Sequence, residues 1–138
     1  MRVRLIAQVA VSIAMAPSCA LPAYAADGGY YSAAQAARGE ALYEQYCMAC
    51  HGAKLQGNPA APLAGPVFQG RWADGQHTLD DLFYIVRTQM PYSAPGSLAK
   101  QQYVDVIAYV LKMNGYEAGE TDLTPITSTL KKITLQPR

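Results

Sequence analysis

Cysteine and histidine are scarce in this chain, which has three cysteines and two histidines among 138 residues. A C-x-x-C pair is half of a zinc site and requires a second pair of ligands. Outside the stretch Cys47–His51, the chain after residue 25 offers only His77 as a further Cys or His. A structural zinc site is therefore poorly supported.

Long apolar runs and basic blocks are also missing. The longest apolar run, Leu5 to Ala16, has about a dozen residues, fewer than the ~20 that a helix needs to span a bilayer. The eleven Lys and Arg nearly balance the ten Asp and Glu, which gives a formal net charge of +1. Without a basic block or a basic stripe with interleaved aromatics, nothing indicates nucleic-acid binding.

The N-terminus has the pattern of a secretory signal peptide. Arg2 and Arg4 precede the apolar run, and Ala23-Tyr24-Ala25 is an A-x-A cleavage site. We expect cleavage after Ala25, export to the periplasm, and no transmembrane segment in the mature chain. One alternative is a retained membrane anchor, but the apolar run is too short to span a bilayer. The other is a lipoprotein modified at Cys19, but the residues before Cys19 form a poor lipobox.

The most specific motif is Cys47-Met48-Ala49-Cys50-His51, C-x-x-C-H, which is typical of covalent haem attachment. In a continuous helix, Cys47, Cys50 and His51 would share one face. Two thiols on that face can add to the vinyl groups of one haem, and the imidazole can ligate the iron. A thioredoxin-like redox pair is the other interpretation, but it requires a βαβ context.

A first helix is predicted before this motif. Ser32 is a suitable N-cap, and residues 33–47 are rich in good helix formers, after a flexible leader at 26–31. The apolar stripe of this helix has i, i+3, i+4 spacing and consists of Ala36, Gly39, Leu42, Tyr43 and Tyr46.

The segment after His51 reads as loop. Residues 52–77 contain five Gly and three Pro, which excludes a long regular element. A haem-ligating His usually donates its second ring N–H to a carbonyl or carboxylate, and a carbonyl of Ala61-Pro62-Leu63 is the candidate acceptor. Arg71 and Trp72 are candidate donors to a haem propionate, although Trp72 could equally be a core residue.

A second helix is predicted from Thr78, with Thr78 and Asp81 as a capping-box variant. Met90 follows its buried stripe, and Pro91 prevents the helix from continuing. Met90 is therefore the first candidate for a second axial ligand, since His/Met is a common haem pair. His77 is a competitor for this position.

Two other methionines compete with Met90. Met48 lies inside the attachment motif on the side of His51, so geometry excludes it as the ligand on the opposite haem face. Met113 is predicted to be a core residue of the third helix. A buried Met more often fills space in the core than binds a metal. The possibility that no protein side chain is the second ligand therefore stays open.

A third helix is predicted over 98–113, with Ser97 as N-cap and Asn114-Gly115 as its stop. Its apolar residues form two stripes, so we expect burial on two sides. One side can cover a haem, and the other can cross the first helix at Gly39, with Tyr109 against Gly39 and Tyr43. Residues 117–138 are a tail whose apolar residues are expected to pack on the surface: Leu123, Ile126, Leu130, Ile133 and Leu135.

Together these segments resemble the class I c-type cytochromes. The matching pieces are Gly39–Tyr43, Cys47–Gly52, Met90-Pro91 and Asp105–Val110. The resemblance implies an all-α cytochrome c fold, with three main helices and loops around one covalent haem c. It also implies that His51 and Met90 are the axial ligands. We expect a signal peptide at 1–25, a cytochrome c domain at 26–116 and the tail at 117–138.

A narrower resemblance concerns small bacterial monohaem cytochromes that accompany periplasmic, quinoprotein-type dehydrogenases. It is carried by Pro95–Leu98 and Asn114–Tyr116. It implies redox proteins as electron donor and acceptor, with a dehydrogenase as the possible donor.

Three functions follow from these predictions. An iron with two protein ligands has no open position for a substrate, so the first is electron transfer by a carrier that is not an enzyme. The second is a haem relay subunit of a larger oxidoreductase complex. The third, an open-site haem enzyme or sensor, requires that Met90 is not a ligand. Lys54, Arg71 and Lys100 could line a docking patch or could simply be solvated surface charges.

Overall fold

The computed structural model describes residues 28–138. The predicted signal peptide, the cleavage after Ala25 and the alternative at Cys19 lie outside these residues. Within them, no helix is both long enough and apolar enough to cross a membrane.

Helices dominate the described chain. They are α1 (Ala33–Tyr46), α2 (Met48–His51), α3 (Pro66–Trp72), α4 (Leu79–Gln89), α5 (Lys100–Met113) and α6 (Thr127–Leu130). Two short strands, β1 (Tyr31–Ser32) and β2 (Ala118–Gly119), pair in parallel, with Tyr31 opposite Ala118. The fold is the all-α cytochrome c fold that the sequence predicts.

The N-terminal caps of α1 and α4 are confirmed. The Ser32 hydroxyl accepts a hydrogen bond from the Gln35 N–H at 3.0 Å. At α4, the Asp81 carboxylate accepts from both the backbone N–H and the hydroxyl of Thr78, at 2.8 and 2.7 Å. These bonds satisfy N–H groups that a helix leaves unpaired at its first turn.

Replacing Asp81 by alanine should lower the free energy of unfolding by about 1 kcal/mol at neutral pH, because the capping box is lost. The hydrogen bonds from Thr78 hold the pKa of Asp81 below its usual value. A depressed pKa stabilises the fold above the unfolded value of about 3.9, and this contribution is lost as pH falls through the lower folded value. Urea unfolding at pH 7 and in acid measures both effects.

Asp80 provides the matched control for this substitution. It lies in the same first turn of α4 and shares the favourable helix-dipole position, but Asp81 supplies the cap bonds. Asp80→Ala should therefore cost less than half as much as Asp81→Ala. Equal losses for the two variants would show that the capping box contributes nothing specific.

The crossing of α1 and α5 at Gly39 is confirmed. A Cβ atom on Gly39 would overlap the backbone carbonyl of Asp105 and lie 3.1 Å from the Cβ of Tyr109. The Tyr43 and Tyr109 rings pack beside it with centroids 5.3 Å apart. The missing side chain therefore allows the two backbones to approach closely.

Burial on two sides of α5 is also confirmed, since residues 103–111 are all buried. Two other expectations about the helical stripes are wrong. Met113 is 38% exposed and Tyr46 is 39% exposed, so neither is a core residue. Both lie at the C-terminal end of their helix.

Two helix boundaries differ from the expectation. The third main helix begins at Lys100 and not at Leu98, because the side chain of Gln102 reaches back and accepts from the Ala99 N–H at 2.9 Å. Within the region expected to be loop, Pro66–Trp72 forms the two-turn helix α3. Pro66 stands at its first position, where a missing N–H costs nothing.

The tail contributes to the core of the molecule. Leu123, Leu130, Ile133 and Leu135 are buried, and only Ile126 of the five apolar tail residues is exposed. The Gln35 amide pairs with the Leu123 backbone, donating to its carbonyl at 2.8 Å and accepting from its N–H at 2.7 Å.

The end of the expected flexible leader is ordered against the segment that begins the tail. The Tyr30 N–H donates to the Glu117 carbonyl at 3.1 Å, and the buried Tyr31 donates its hydroxyl hydrogen to the Tyr116 carbonyl at 2.6 Å. The expectation of flexibility is therefore wrong for residues 30 and 31.

Candidate haem site

The C-x-x-C-H motif lies on the turn where α1 passes into α2. Cys47 interrupts the helical path, with φ −123° and ψ −35°. Helical hydrogen bonding nevertheless continues across it, since the N–H of His51 donates to the carbonyl of Cys47 at 3.0 Å. Cys47 is half-buried and Cys50 is exposed, and no disulfide joins them.

His51 is buried and its ring orientation is set by the following loop. Its Nδ1 lies 2.8 Å from the carbonyl oxygen of Ala61. Because a carbonyl can only accept, Nδ1 carries the proton and Nε2 of the neutral ring is left as a metal ligand. Ala61 belongs to the stretch 61–63 in which the sequence predicts the acceptor.

The loop after the motif folds back onto it through backbone bonds. The Gly57 N–H donates to the His51 carbonyl at 2.8 Å, and the Ala60 N–H donates to the Cys50 carbonyl at 3.0 Å. The second bond holds Ala60 against the motif, and with it the neighbouring carbonyl of Ala61. Pro62, the predicted haem contact, follows directly and is half-buried.

Burial raises the pKa of Cys47 to about 11, and the nearby Cys50 adds to the effect. The thiol is therefore neutral at pH 7, whereas a redox-active C-x-x-C cysteine has a lowered pKa. Within residues 28–138, strands are limited to the two-residue pair β1–β2 and one isolated bridge. A thioredoxin-like site requires a βαβ unit, so this alternative has no structural basis.

Met90 caps the C-terminus of α4 in an extended conformation, with φ −123° and ψ 156°. Its carbonyl accepts from the Tyr103 hydroxyl at 2.8 Å and from the Gly96 N–H at 3.3 Å. Tyr103 is fully buried. The backbone of Met90 is thus anchored to α5, while its half-buried side chain takes no part in these bonds.

His77, the competing ligand, is engaged elsewhere. Its Nδ1 lies 2.7 Å from Oδ2 of Asp74, and its ring packs edge-on against Trp72 with centroids 5.5 Å apart. Hydrogen bonds from the backbone N–H groups of His77 and Gln76 are the main cause that lowers the pKa of Asp74 to about 2. The ionised Asp74 therefore holds His77 in an exposed turn.

The predicted propionate donors differ in their surroundings. Trp72 is 7% exposed and belongs to the core, whereas Arg71 is exposed with its guanidinium stacked 4.9 Å from the Trp72 ring centroid. Lys54 and Lys100 are exposed as well. The roles of Arg71 and Trp72 towards a haem stay predictions.

Three residues near the site were missed by sequence reasoning. Tyr103 extends one α5 stripe backwards, three residues before Val106, so its burial could have been predicted. The Asn114 side chain donates to the Leu63 carbonyl at 2.9 Å and accepts from the Gly65 N–H at 3.0 Å, which no local pattern indicates. Arg87 of α4 has a buried Nε, and nothing in its sequence neighbourhood distinguishes it from an exposed arginine.

The residues of this site fit a haem c. Two thiols and an imidazole with a free Nε2 lie on one short turn, which is the donor set that covalent haem attachment requires. The helical fold and this site together define a class I c-type cytochrome, a protein that carries electrons on a haem.

Comparison with known proteins agrees with this class. The family described as cytochrome c oxidase, cbb3-type, subunit III matches residues 34–110, more than half of the chain. The chain belongs to this family.

A solved structure has a similar fold. It is the crystal structure of the sulfane dehydrogenase SoxCD from Paracoccus pantotrophus, and it matches with a TM-score of 0.57 and 22% sequence identity. The match covers 90% of this chain and 68% of that one. No curated protein matches the chain.

Proposed function

We propose that this chain is a periplasmic monohaem c-type cytochrome that passes single electrons from a dehydrogenase or other donor to a respiratory acceptor. One haem c would be bound through thioethers to Cys47 and Cys50, with His51 and Met90 as axial ligands. The observation that carries the proposal is the His51–Ala61 hydrogen bond, which leaves Nε2 free beside two thiols.

Met90 is the second ligand in this proposal because hydrogen bonds hold its backbone, while its thioether takes part in none of them. Tyr103 and Gly96 bind its carbonyl, and α4 ends there. Among the competitors, His77 is tied to Asp74, Met48 lies within the attachment motif on the side of His51, and Met113 is the last residue of α5.

The bound haem would supply the one-electron change, and the chain's residues would set its potential. A neutral thioether from Met90 favours the reduced iron relative to a second imidazole. The Ala61 carbonyl strengthens the basicity of His51 through Nδ1. A site closed by two protein ligands leaves no position for a substrate, which favours a carrier over an enzyme.

The signal-peptide pattern at the N-terminus supports the proposed periplasmic location. The N-terminal pattern with cleavage after Ala25 is that of a signal peptide. Removal of that segment would leave Cys47 and Cys50 as the remaining cysteines, and both would be used by the haem.

A haem relay subunit within a larger complex is the second candidate. It is favoured by the family description, which names an oxidase subunit, and by the similar solved structure, which is that of a dehydrogenase. Size-exclusion chromatography of periplasmic extract separates the two. A free carrier elutes near its own mass, whereas a relay subunit elutes with a dehydrogenase or oxidase.

Carbon monoxide binding tests whether the site is closed. We expect the reduced wild-type protein to keep its spectrum under carbon monoxide, and a redox titration to follow a single one-electron curve. A spectral shift on addition of carbon monoxide would mean an open axial position. The protein would then be a haem enzyme or sensor, and the proposed carrier function would be wrong.

A further inference from the structure

The loop that begins at Met90 and ends at Leu98, here called the Met90 loop, runs over the surface of the molecule. Residues 92–97 are all exposed, and Tyr92 is 86% exposed. A segment with few buried apolar contacts opens locally at a low free energy. The hydrogen bonds at the two ends of this loop therefore decide how firmly Met90 is held.

A single hydroxyl group connects both ends of the Met90 loop. The Tyr103 hydroxyl donates to the Met90 carbonyl at 2.8 Å and accepts from the Leu98 N–H at 3.3 Å. A phenol hydroxyl is both a donor and an acceptor, and Tyr103 uses it in both roles. The Gly96 N–H donates to the same Met90 carbonyl at 3.3 Å. The two ends of the loop are thus joined through one side chain.

Tyr103 is itself firmly placed. Its side chain is 1% exposed, and it lies in the first turn of α5, whose residues 103–111 are all buried. The helix α5 crosses α1 closely at Gly39, and α1 leads directly into the attachment motif. Tyr103 therefore fixes the Met90 loop relative to the same pair of helices that positions His51.

We propose that the Tyr103 hydroxyl is a clasp on the Met90 loop that keeps Met90 on the iron and small external ligands off it. This inference rests on the proposed function, since it requires that Met90 is the second axial ligand. When the clasp is broken, the loop can move outwards with the thioether, and the axial position accepts another ligand. Tyr103 is thus a positioning residue that acts through the loop backbone and separates the closed carrier from an open-site haem protein.

The size of the effect follows from the bonds that the hydroxyl makes. Phenylalanine at position 103 keeps the ring and removes only the oxygen. In the closed loop the Met90 carbonyl then loses one of its two donors, and the Leu98 N–H loses Tyr103 as acceptor. A net hydrogen bond changes an equilibrium about fivefold, so the loss of two should raise the open population roughly tenfold. Because only the open form binds an external ligand, the apparent affinity rises in proportion.

The test is a titration of the oxidised holoprotein with imidazole at pH 7, for wild type, Tyr103→Phe and the control Tyr109→Phe. Imidazole replaces the Met90 thioether without a change of oxidation state, so the weak far-red absorption band, the family's mark of Met–Fe(III) ligation, disappears. The apparent Kd should fall roughly tenfold in Tyr103→Phe and stay within about twofold of wild type in the control. Tyr109 is also a buried tyrosine of α5, but its ring packs against Tyr43.

The outcomes separate the clasp from the proposed ligation. A wild type without the far-red band would contradict the ligation by Met90, and the proposed function and the clasp would fall together. A wild type that has the band, with a Tyr103→Phe variant that binds imidazole no more tightly, would overturn the clasp alone. An equal gain of affinity in Tyr109→Phe would mean that α5 is loosened generally, and it would also overturn the clasp.

Hydrogen exchange of the wild-type holoprotein tests the clasp without any substitution. The amides of Gly96 and Leu98 donate bonds that break when the loop opens. Both should therefore exchange faster than the buried α5 amides, such as that of Val106, and saturating imidazole should accelerate both. If they exchange only as slowly as the α5 amides, the loop opens only when the whole fold does, and the clasp is wrong.

Discussion

Replacing Met90 by alanine is expected to lower the reduction potential by roughly 0.2 V, given that axial ligands set haem potentials over a range of about 0.8 V. The thioether is a neutral ligand that favours reduced iron, and alanine cannot replace it. Tyr103 and Gly96 bind the backbone carbonyl of residue 90, so the loop should keep its path in the variant. The open position should then accept water or an added ligand.

Three measurements check this expectation. The weak far-red absorption band of the oxidised protein, the family's mark of Met–Fe(III) ligation, should disappear. The reduced variant should bind carbon monoxide, and the potential should fall. Met113→Ala is the matched control, because Met113 is 38% exposed and lies at the end of α5. It should keep the band and the potential of wild type. Survival of the band in Met90→Ala would assign the ligand to another residue.

Replacing Gly39 by valine is expected to lower the free energy of unfolding by about 3 kcal/mol, the upper end of the usual cost of overpacking. Even the first side-chain atom would overlap the Asp105 carbonyl of α5. That carbonyl is backbone within a helix buried on two sides, so it cannot move aside cheaply. Gly39→Ala should already be destabilising, although alanine is the better helix former.

Gly70→Ala is the control for this experiment. Gly70 also lies within a helix, α3, but a Cβ there would meet no atom within 4 Å. Alanine at this position should be neutral or stabilise the fold by about 0.5–1 kcal/mol, because it reduces the entropy of the unfolded chain. Thermal or urea unfolding of the holoprotein compares the variants. Equal stability of Gly39→Val and wild type would mean that the helices can separate at no cost.

Local sequence patterns predicted the features that depend on neighbouring residues. The caps at Ser32 and Thr78 were predictable because capping bonds span only three residues. The helix α3 could have been found from Pro66 at its first position. The start of α5 at Lys100 was misplaced because Ser97 resembled a cap, whereas Gln102 supplies the actual bond.

Long-range contacts decided the rest. The buried Gln35 amide pairs with the Leu123 backbone across 88 residues, and the Asn114 side chain pairs with the loop at Leu63 and Gly65. Polar residues that point inwards carry no hydrophobic period, so periodicity cannot reveal them.

The sequence by itself determined the covalent chemistry of this protein. The spacing of Cys47, Cys50 and His51 is short enough for one turn of chain to bring the donors together, whatever the rest of the fold does. The tertiary structure alone decided how the parts of the candidate site are held. Ala61 fixes the ring of His51, Tyr103 binds the Met90 backbone, and α5 packs against α1 at Gly39. These contacts join separate helices and loops, and no local sequence pattern indicates which of their residues will meet.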